Sequence, residues 1–434
     1  MYSSLTDLYK HFTKQSVVCT DTRKISDGCI FFALKGPNFN GNQFAAEAIE
    51  KGATLCVVDE NEYANEKCLL VENVLETLQS MANLHRKTLN IPIIAITGSN
   101  GKTTTKELCR EILARKYNVF ATSGNLNNHI GVPLSLLSLS TKHQLAIIEM
   151  GANHKNEIES LCKIAEPTYG LITNIGSAHL EGFGSIAGIL KAKSELFDYL
   201  IANDGTIFFN GNDSHLNSLE LNYSKIIPYG SEKNSFCELL EFERTEHLKI
   251  KWKSKNEPTE NIAHSSLTGD YNIENILAAT CVGSYFGVPA TDINLAIRNY
   301  ESKNNRSQIV IKNSNTIVLD AYNANPSSMM AAISNFSQSF KGVKIPVLGE
   351  MHELGNFTKE EHKNIFNELT KLGFEEFILV GNNFEPFKTK EQVKYFNTAS
   401  EAGKWIQDQN FKNANFLIKG SRATGMEKVM LAFE

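Results

Sequence analysis

The segment Ile91-Pro92-Ile93-Ile94-Ala95-Ile96-Thr97-Gly98-Ser99-Asn100-Gly101-Lys102-Thr103-Thr104-Thr105 constrains the fold of this chain more than any other part of it. A largely apolar run leads directly into a glycine turn, after which Leu108, Ile112 and Leu113 recur at helical spacing. Strand, turn and helix in that order form the context a phosphate-binding loop requires. Glycines let the backbone approach phosphate oxygens, and the first N–H groups of the helix attract an anion. Lys102 neutralises the β and γ phosphates, and the Thr103 hydroxyl can hold Mg²⁺. Gly98, Ser99, Asn100, Gly101, Lys102, Thr103 and Thr104 are therefore candidate ATP contacts. The loop is the short form Gly-x-x-Gly-Lys-Thr, with Ile96 where the longer pattern carries glycine.

A continuous apolar strand followed by a helix implies a parallel sheet covered on both faces, so the expected class is α/β. At about 100 to 200 residues per domain, 434 residues suggest about three domains. The alternation of runs agrees. Residues 1–88 read as a small α/β domain, with strands at 29–34 and 53–58 and helices at 43–51 and 74–87. Residues 89–304 form the central domain, with further strands at 144–149 and 170–175 and helices at 157–164 and 186–200. Its stretch from about 205 to 268, short and polar, reads as an antiparallel elaboration, and residues 302–305 as a linker. Residues 305–434 form a third, Rossmann-like α/β domain, with strands at 316–319, 345–348, 377–380 and 415–418 and a helix at 358–372.

With 43 Lys plus Arg against 48 Asp plus Glu the net charge is -5, and no basic run stands out, which excludes nucleic-acid binding driven by bulk charge. The eight cysteines are widely spaced, with no C-x-x-C pair, and several sit in apolar runs, so reduced core thiols are expected. The first ten residues lack a basic segment followed by a long apolar one, and no run approaches a membrane span. A cytoplasmic protein with no membrane span is expected, and a monomer.

Glu149 ends an apolar strand and leads into Met150-Gly151, at the edge where ligands bind in open α/β sheets. A carboxylate there suits Mg²⁺. His179 follows the next strand and Lys193 lies on the helix after it; taken singly, such residues are more often a solvated loop histidine and half of a surface ion pair. Asp320-Ala321-Tyr322-Asn323-Ala324-Asn325-Pro326 follows a strand and precedes a helix that Pro326 would begin, so it is either a ligand site or turn and cap chemistry. Lys419 and Arg422 also follow a strand, either binding an anionic substrate or facing solvent.

In their order along the chain these residues resemble the ATP-dependent Mur ligases of peptidoglycan synthesis. The resemblance rests on the phosphate loop, Glu149-Met150-Gly151, His179, Lys193 before Ser194-Glu195-Leu196-Phe197, the Asn272 to Asn275 pair, Arg306 and Asp320, and it spans all three blocks. Asn127-Asn128-His129-Ile130-Gly131-Val132-Pro133, the Asp320 to Met329 run and Leu348-Gly349-Glu350-Met351-His352-Glu353-Leu354-Gly355 resemble the branch that joins D-alanyl-D-alanine to UDP-N-acetylmuramoyl-tripeptide. Thr20-Asp21-Thr22-Arg23 is similar to the family's nucleotide-sugar-binding segment. Asn40-Gly41-Asn42 and Tyr271 depart from the family's usual Asp-Gly-His and His.

The resemblance implies that ATP activates the tripeptide carboxylate as an acyl phosphate, which the dipeptide amine then attacks. It implies two Mg²⁺ sites, Thr103 and Glu149 at the first, and Glu149, His179 and Lys193 around the second, with Lys193 carbamoylated. It places Asn275, Arg306 and Asp320 on the nucleoside side of ATP. It marks Thr22, Arg23, Asn127, Asn128, Tyr322, Asn323, Asn325, Lys419 and Arg422 as candidate substrate contacts, and Lys102, Glu149, His179 and Lys193 as the catalytic set. Another amide ligase of the family, the folylpolyglutamate synthetase branch included, a phosphate-loop switch protein and a degenerate, purely structural homologue are the other readings. The second leaves the third domain and the Tyr-Asn-Ala-Asn-Pro cluster without a role.

Overall fold

A computed structural model describes residues 4–15, 17–244 and 247–434, with the side chains of residues 14, 15 and 244 outside that description. Three mixed α/β domains follow one another, each centred on one main sheet.

The N-terminal sheet has the order β1-β2-β5-β6, with β1 Val18–Cys19, β2 Ile30–Phe32, β5 Leu55–Val58 and β6 Cys68–Leu70, all parallel. A small ribbon of β3 Lys35–Gly36 and β4 Phe39–Asn40 stands beside it. Its helices are α1 Leu5–Gln15, α2 Ala45–Glu50 and α3 Val74–Leu89. Asn42 is buried and bonded to Asn40 and Asp59.

The central nine-stranded sheet runs β15-β14-β13-β12-β11-β10-β7-β9-β8. Its strands are β7 Ile93–Thr97, β8 Val119–Ala121, β9 Leu145–Glu149, β10 Tyr169–Ile172, β11 Thr206–Asn210, β12 Ile226–Gly230, β13 Cys237–Arg244, β14 Leu248–Ser254 and β15 Asn261–His264. The antiparallel pairs expected for 205–268 are confined to β13, β14 and β15. β11 and β12 instead extend the parallel sheet. A crossover through the short helix α9 Ser214–Asn217 joins them, the kind of connection parallel neighbours need. The other helices of this domain are α4 Lys102–Leu113, α5 Gly131–Leu137, α6 Glu157–Ala165, α7 Leu180–Phe183, α8 Ile186–Ala202, α10 Tyr271–Tyr285 and α11 Ala290–Asn299.

The C-terminal sheet has the order β16-β17-β21-β18-β19-β20. Its strands are β16 Gln308–Lys312, β17 Asn315–Asp320, β18 Lys344–Gly349, β19 Phe377–Val380, β20 Val393–Phe396 and β21 Asn415–Lys419, with only β16 antiparallel. Helix α12 Pro326–Ser339 starts at Pro326 behind the Asn325 N-cap, as its sequence requires.

Alternate residues of each apolar run face opposite cores. Ile93 and Ala95 join one apolar cluster while Ile94 and Ile96 join another. Ile30 and Phe32 share that first cluster, as do Leu348 and Leu417, so one core runs through all three domains. The eight cysteines are free thiols, seven buried and Cys68 half-buried. Among the described residues no helix is long and apolar enough to cross a membrane.

Candidate active site

In the central sheet β7 lies between β10 and β9, and the carboxyl ends of these three neighbours carry the chemistry. The loop after β7 is Gly98 to Gly101, Glu149 ends β9, and residues 173–179 after β10 lead to His179. Gly98 and Gly101 have φ of 145° and 78°. A β-carbon at Gly98 would stand 1.9 Å from Thr173 Oγ1, and one at Gly101 2.1 Å from Asn275 Oδ1, so only glycine fits at either place.

The loop is braced from below. Ser99 N–H donates to Asn174 O at 2.9 Å, Asn100 N–H to Asn174 Oδ1 at 3.0 Å, and the Ser99 hydroxyl to Gly176 O at 2.9 Å. Ser99 and Asn100 therefore build the loop. The first-turn N–H groups of α4, which begins at Lys102, are left for an anion. Lys102 Nζ donates to Gly98 O at 2.7 Å, and burial, with the Arg306 charge adding to it against the opposing pull of Glu149, lowers its pKa to about 8.

Glu149 is 2% exposed and held from three sides. Thr103 Oγ1 donates to Oε2 at 3.0 Å, Asn127 Nδ2 donates to Oε1 at 2.8 Å, and Lys106 Nζ lies 3.6 Å from Oε2. A carboxylate and a hydroxyl side by side are the hard oxygen donors Mg²⁺ takes, so Thr103 and Glu149 fit that ion. Lys106, itself 2% exposed and bonded to Thr122 O at 2.7 Å, is a site residue the sequence reading missed, although its spacing from the loop was visible.

The carboxyl ends of the C-terminal sheet meet the same space. β17 and β21 pair Asp320 with Lys419, whose Nζ lies 2.5 Å from Asp320 Oδ2, so this lysine spends its charge on its neighbour. Tyr322 lies under the Arg306 guanidinium at 3.8 Å from ring centre to Cζ, with Arg422 at 5.3 Å. The buried Arg306 Nε has no partner among the described residues. From β18 the chain reaches Glu353, whose Oε2 stands 2.5 Å from His179 Nδ1. Asn325 Nδ2 donates to Asn100 Oδ1 at 2.8 Å, and Asn100 Nδ2 to Ser327 Oγ at 2.9 Å, bridging loop and C-terminal domain.

Between the two sets of strand ends lies a cavity of about 1160 Å³. Its wall includes Ser99, Asn100, Gly101, Lys102, Thr103, Thr104, Asn127, Asn128, Glu149, His179, Asn275, Arg306, Asp320, Tyr322, Asn323, Asn325, Lys419 and Arg422, so nearly every residue anticipated from sequence converges there. Tyr271 also lines it and bonds to Ser307 at 2.7 Å. Four anticipated residues do not line it. Gly98 packs against Thr173 at the start of the loop. Lys193, 1% exposed, is buried in α8 with its ammonium 5.7 Å from the Phe183 ring centre, and it makes no hydrogen bond or ion pair among the described residues. Burial, reinforced by the Lys102 charge, holds its pKa well below the usual lysine range. Thr22 and Arg23 sit on the N-terminal domain, where Arg23 forms a fork with Asp21 at 2.8 and 2.9 Å. Glu353 was read only as part of a motif. Its place beside His179 depends on a contact between domains that no local spacing encodes.

The Mur ligase middle domain matches residues 96–283, the Mur ligase glutamate ligase domain residues 305–422, and the Mur ligase family catalytic domain residues 15–86. The chain belongs to the Mur ligase family. Among its relatives, the UDP-N-acetylmuramoyl-tripeptide–D-alanyl-D-alanine ligase of Bacillus subtilis is 32% identical, over 95% of this chain and 92% of the relative. The ligase of the same name from Buchnera aphidicola subsp. Baizongia pistaciae is 34% identical, over 95% and 91%. Solved structures of MurF from Acinetobacter baumannii (31% identity, TM-score 0.86, 96% and 92% covered) and of MurF ligase from Thermotoga maritima in complex with ADP (27%, 0.86, 96% and 97%) share the fold.

Proposed function

We propose that this chain is an ATP-dependent amide ligase that joins D-alanyl-D-alanine to UDP-N-acetylmuramoyl-tripeptide in peptidoglycan precursor synthesis. The observation that carries the reading is the cavity where the carboxyl ends of two sheets meet: Lys102, Thr103 and Glu149 form one wall, and Arg306, Tyr322 and Arg422 the other. Its near-complete overlap with ligases of that name supports the acceptor.

The terminal carboxylate of the tripeptide attacks the γ-phosphorus of ATP, the bond to the bridging oxygen breaks, and ADP leaves. The dipeptide amine then adds to the acyl-phosphate carbon, loses a proton and expels phosphate. Bringing a carboxylate against a triphosphate needs positive charge fixed in advance. Lys102 and the first turn of α4 supply part of it to the β and γ phosphates. Mg²⁺, when bound, neutralises phosphate oxygens and polarises the γ-phosphoryl group. Thr103 and Glu149 would hold one such ion, and Glu149 and His179, joined by Lys193 once carbamoylated, would hold a second. A neutral, buried Lys193 amine is the form that reacts with CO₂, giving a carbamate and a proton, which turns a repelled cation into an oxygen donor. Asn275, Arg306 and Asp320 face the nucleoside side of ATP. Asn127, Asn128, Tyr322, Asn323, Asn325, Lys419 and Arg422 face the peptide substrates, Lys419 doing so as an ion pair with Asp320.

Residues 1–88, with Thr22 and Arg23, take the nucleotide-sugar end of the substrate, 89–304 the ATP and metal chemistry, and 305–434 the dipeptide. The enzyme works in the cytoplasm as a monomer. Phosphate release from ATP is measured with the UDP-linked tripeptide, with and without D-alanyl-D-alanine and with single amino acids in its place. Release that depends on the dipeptide is expected; release indifferent to it sinks the assignment. Lys193→Ala should lose activity that short carboxylic acids partly restore.

A further inference from the structure

We propose that Glu353, carried by the C-terminal domain, is a positioning residue for His179: it engages Nδ1 and leaves Nε2 for a metal ion, and the metal side of the site is complete only when that domain is docked. The inference rests on the reading of His179 as a ligand in the ligase site.

Glu353 Oε2 is 2.5 Å from His179 Nδ1, an ion-pair contact whose angle falls short of a hydrogen bond, and the Glu181 N–H donates to Glu353 O at 3.2 Å, so backbone and side chain both join the two domains here. A carboxylate this close to Nδ1 favours the tautomer with the proton on that nitrogen and leaves the lone pair of Nε2 for a metal, the arrangement by which neighbours of metal-bound histidines set tautomer and ring angle. The two residues also share an unusual backbone. His179 has φ 53° and Glu353 φ 62°, left-handed conformations that non-glycine residues seldom take and that gather at functional sites. Gly355, at φ 53°, lets the segment close on α7, since a β-carbon there would stand 3.3 Å from Glu181 Cγ.

The other acidic side chain of this segment is occupied elsewhere. Glu350 accepts the Asn383 N–H at 3.0 Å and lies 3.7 Å from His352. Nor is the His179 pair built for stability, because Glu353 is 51% exposed and an exposed pair contributes little to folding. What it controls is direction. In this role Glu353 acts through His179.

The test is a Mn²⁺ titration of the full chain with ADP, following free Mn²⁺ by electron paramagnetic resonance, in wild type, His179→Ala, Glu353→Ala and Glu353→Gln. His179→Ala identifies the Mn²⁺ that depends on the imidazole. Glu353→Ala should weaken that ion about 10- to 100-fold. Glu353→Gln, whose amide oxygen still accepts the Nδ1 proton, should restore most of the loss. Thermal midpoint and ADP affinity should match wild type in both Glu353 variants. Wild-type Mn²⁺ binding in Glu353→Ala overturns the proposal, as does Glu353→Gln failing as badly as alanine, or the absence of any His179-dependent ion. Dipeptide-dependent phosphate release by the wild type is scored separately, so a failure of the ligase reading is distinguishable from a failure of this one.

Discussion

The central domain meets its two neighbours in different ways. Toward the N-terminal domain it is gripped by α3, which buries Val74, Leu78, Met81 and Ala82 and spends its polar side chains on the carboxyl ends of two central helices. Arg86 donates to Ala165 O at 3.1 Å and Glu166 O at 3.0 Å, Asn83 to Ile164 O at 3.0 Å, and His85 to Leu139 O at 3.0 Å. Helix ends leave such carbonyls without partners of their own, so each contact removes a desolvation cost. Toward the C-terminal domain, at the cavity, the contacts run between polar side chains: Asn100 bonds to Asn325 and Ser327, and His179 pairs with Glu353. The first contact is made to persist. The second can be remade with substrates, which is what closure of a site around two anionic molecules demands.

The largest expected effect separates chemistry from stability. Lys102→Met should cut turnover about 10²- to 10³-fold, as loss of a charge-stabilising donor does. It should not lower the denaturation midpoint at pH 7. The folded pKa, about 8, lies below the ordinary 10.5, so the unfolded chain binds more protons between those values. Wild-type stability should therefore rise from pH 8 to 10.5 relative to the variant, and below pH 8 the half-buried, desolvated charge is a net cost. A variant destabilised at pH 7 would mean that the cavity side also holds the fold together.

Arg86→Ala tests the other contact. It leaves buried carbonyls at the end of α6 unpaired and should cost about 2 to 3 kcal/mol in chemical denaturation, with kcat of the folded enzyme unchanged. Arg86→Lys should not rescue it, because one ammonium cannot reproduce the fork. Asn100→Ala is the smaller counterpart at the cavity. It deletes both bonds to Asn325 and Ser327 and should lower kcat/KM roughly tenfold, with stability within about 0.5 kcal/mol of wild type. If Asn100→Ala unfolds the protein while Arg86→Ala only slows it, the assignment of permanent and remakable contacts is reversed.

How much of this was legible in the sequence follows the same division. The cavity wall of the central domain was readable because β7, the glycine turn and α4 are contiguous, and Glu149 falls at the end of a short continuous apolar run that marks a buried strand. The 205–230 stretch was misjudged because parallel neighbours joined by a short crossover leave the same short, polar runs as hairpins do. Lys106 escaped notice because a lysine on a helix is ordinarily solvated; only the packing of β8 and β9 around α4 makes it a buried partner of Glu149. Glu353, the Asp320 to Lys419 pair and the Arg306, Tyr322 and Arg422 stack depend on how separate strands align, which periodicity does not carry.

The smallest effect concerns acid. His85 sits in the α3 contact at 7% exposure, donating from Nε2 to Leu139 O and accepting from Tyr9 OH at Nδ1, 3.0 Å away. Burial lowers its pKa from the ordinary 6.5, partly opposed by the Leu139 carbonyl. The unfolded chain then takes up a proton at higher pH than the folded one. Stability from this group is fully present above pH 6.5 and declines as pH falls from there through the folded pKa. The physical event is local: a protonated ring has to place a second donor against Tyr9, whose hydroxyl already donates to it. Replacing His85 by glutamine keeps a donor toward Leu139 and removes the titration. The stability difference between wild type and His85→Gln, followed by urea denaturation from pH 7.5 to 5, should therefore move against the wild type as acid is added, while kcat at pH 7.5 is the same for both. A difference that stays flat across that range would remove His85 as an acid-sensitive element and leave the α3 contact insensitive to pH.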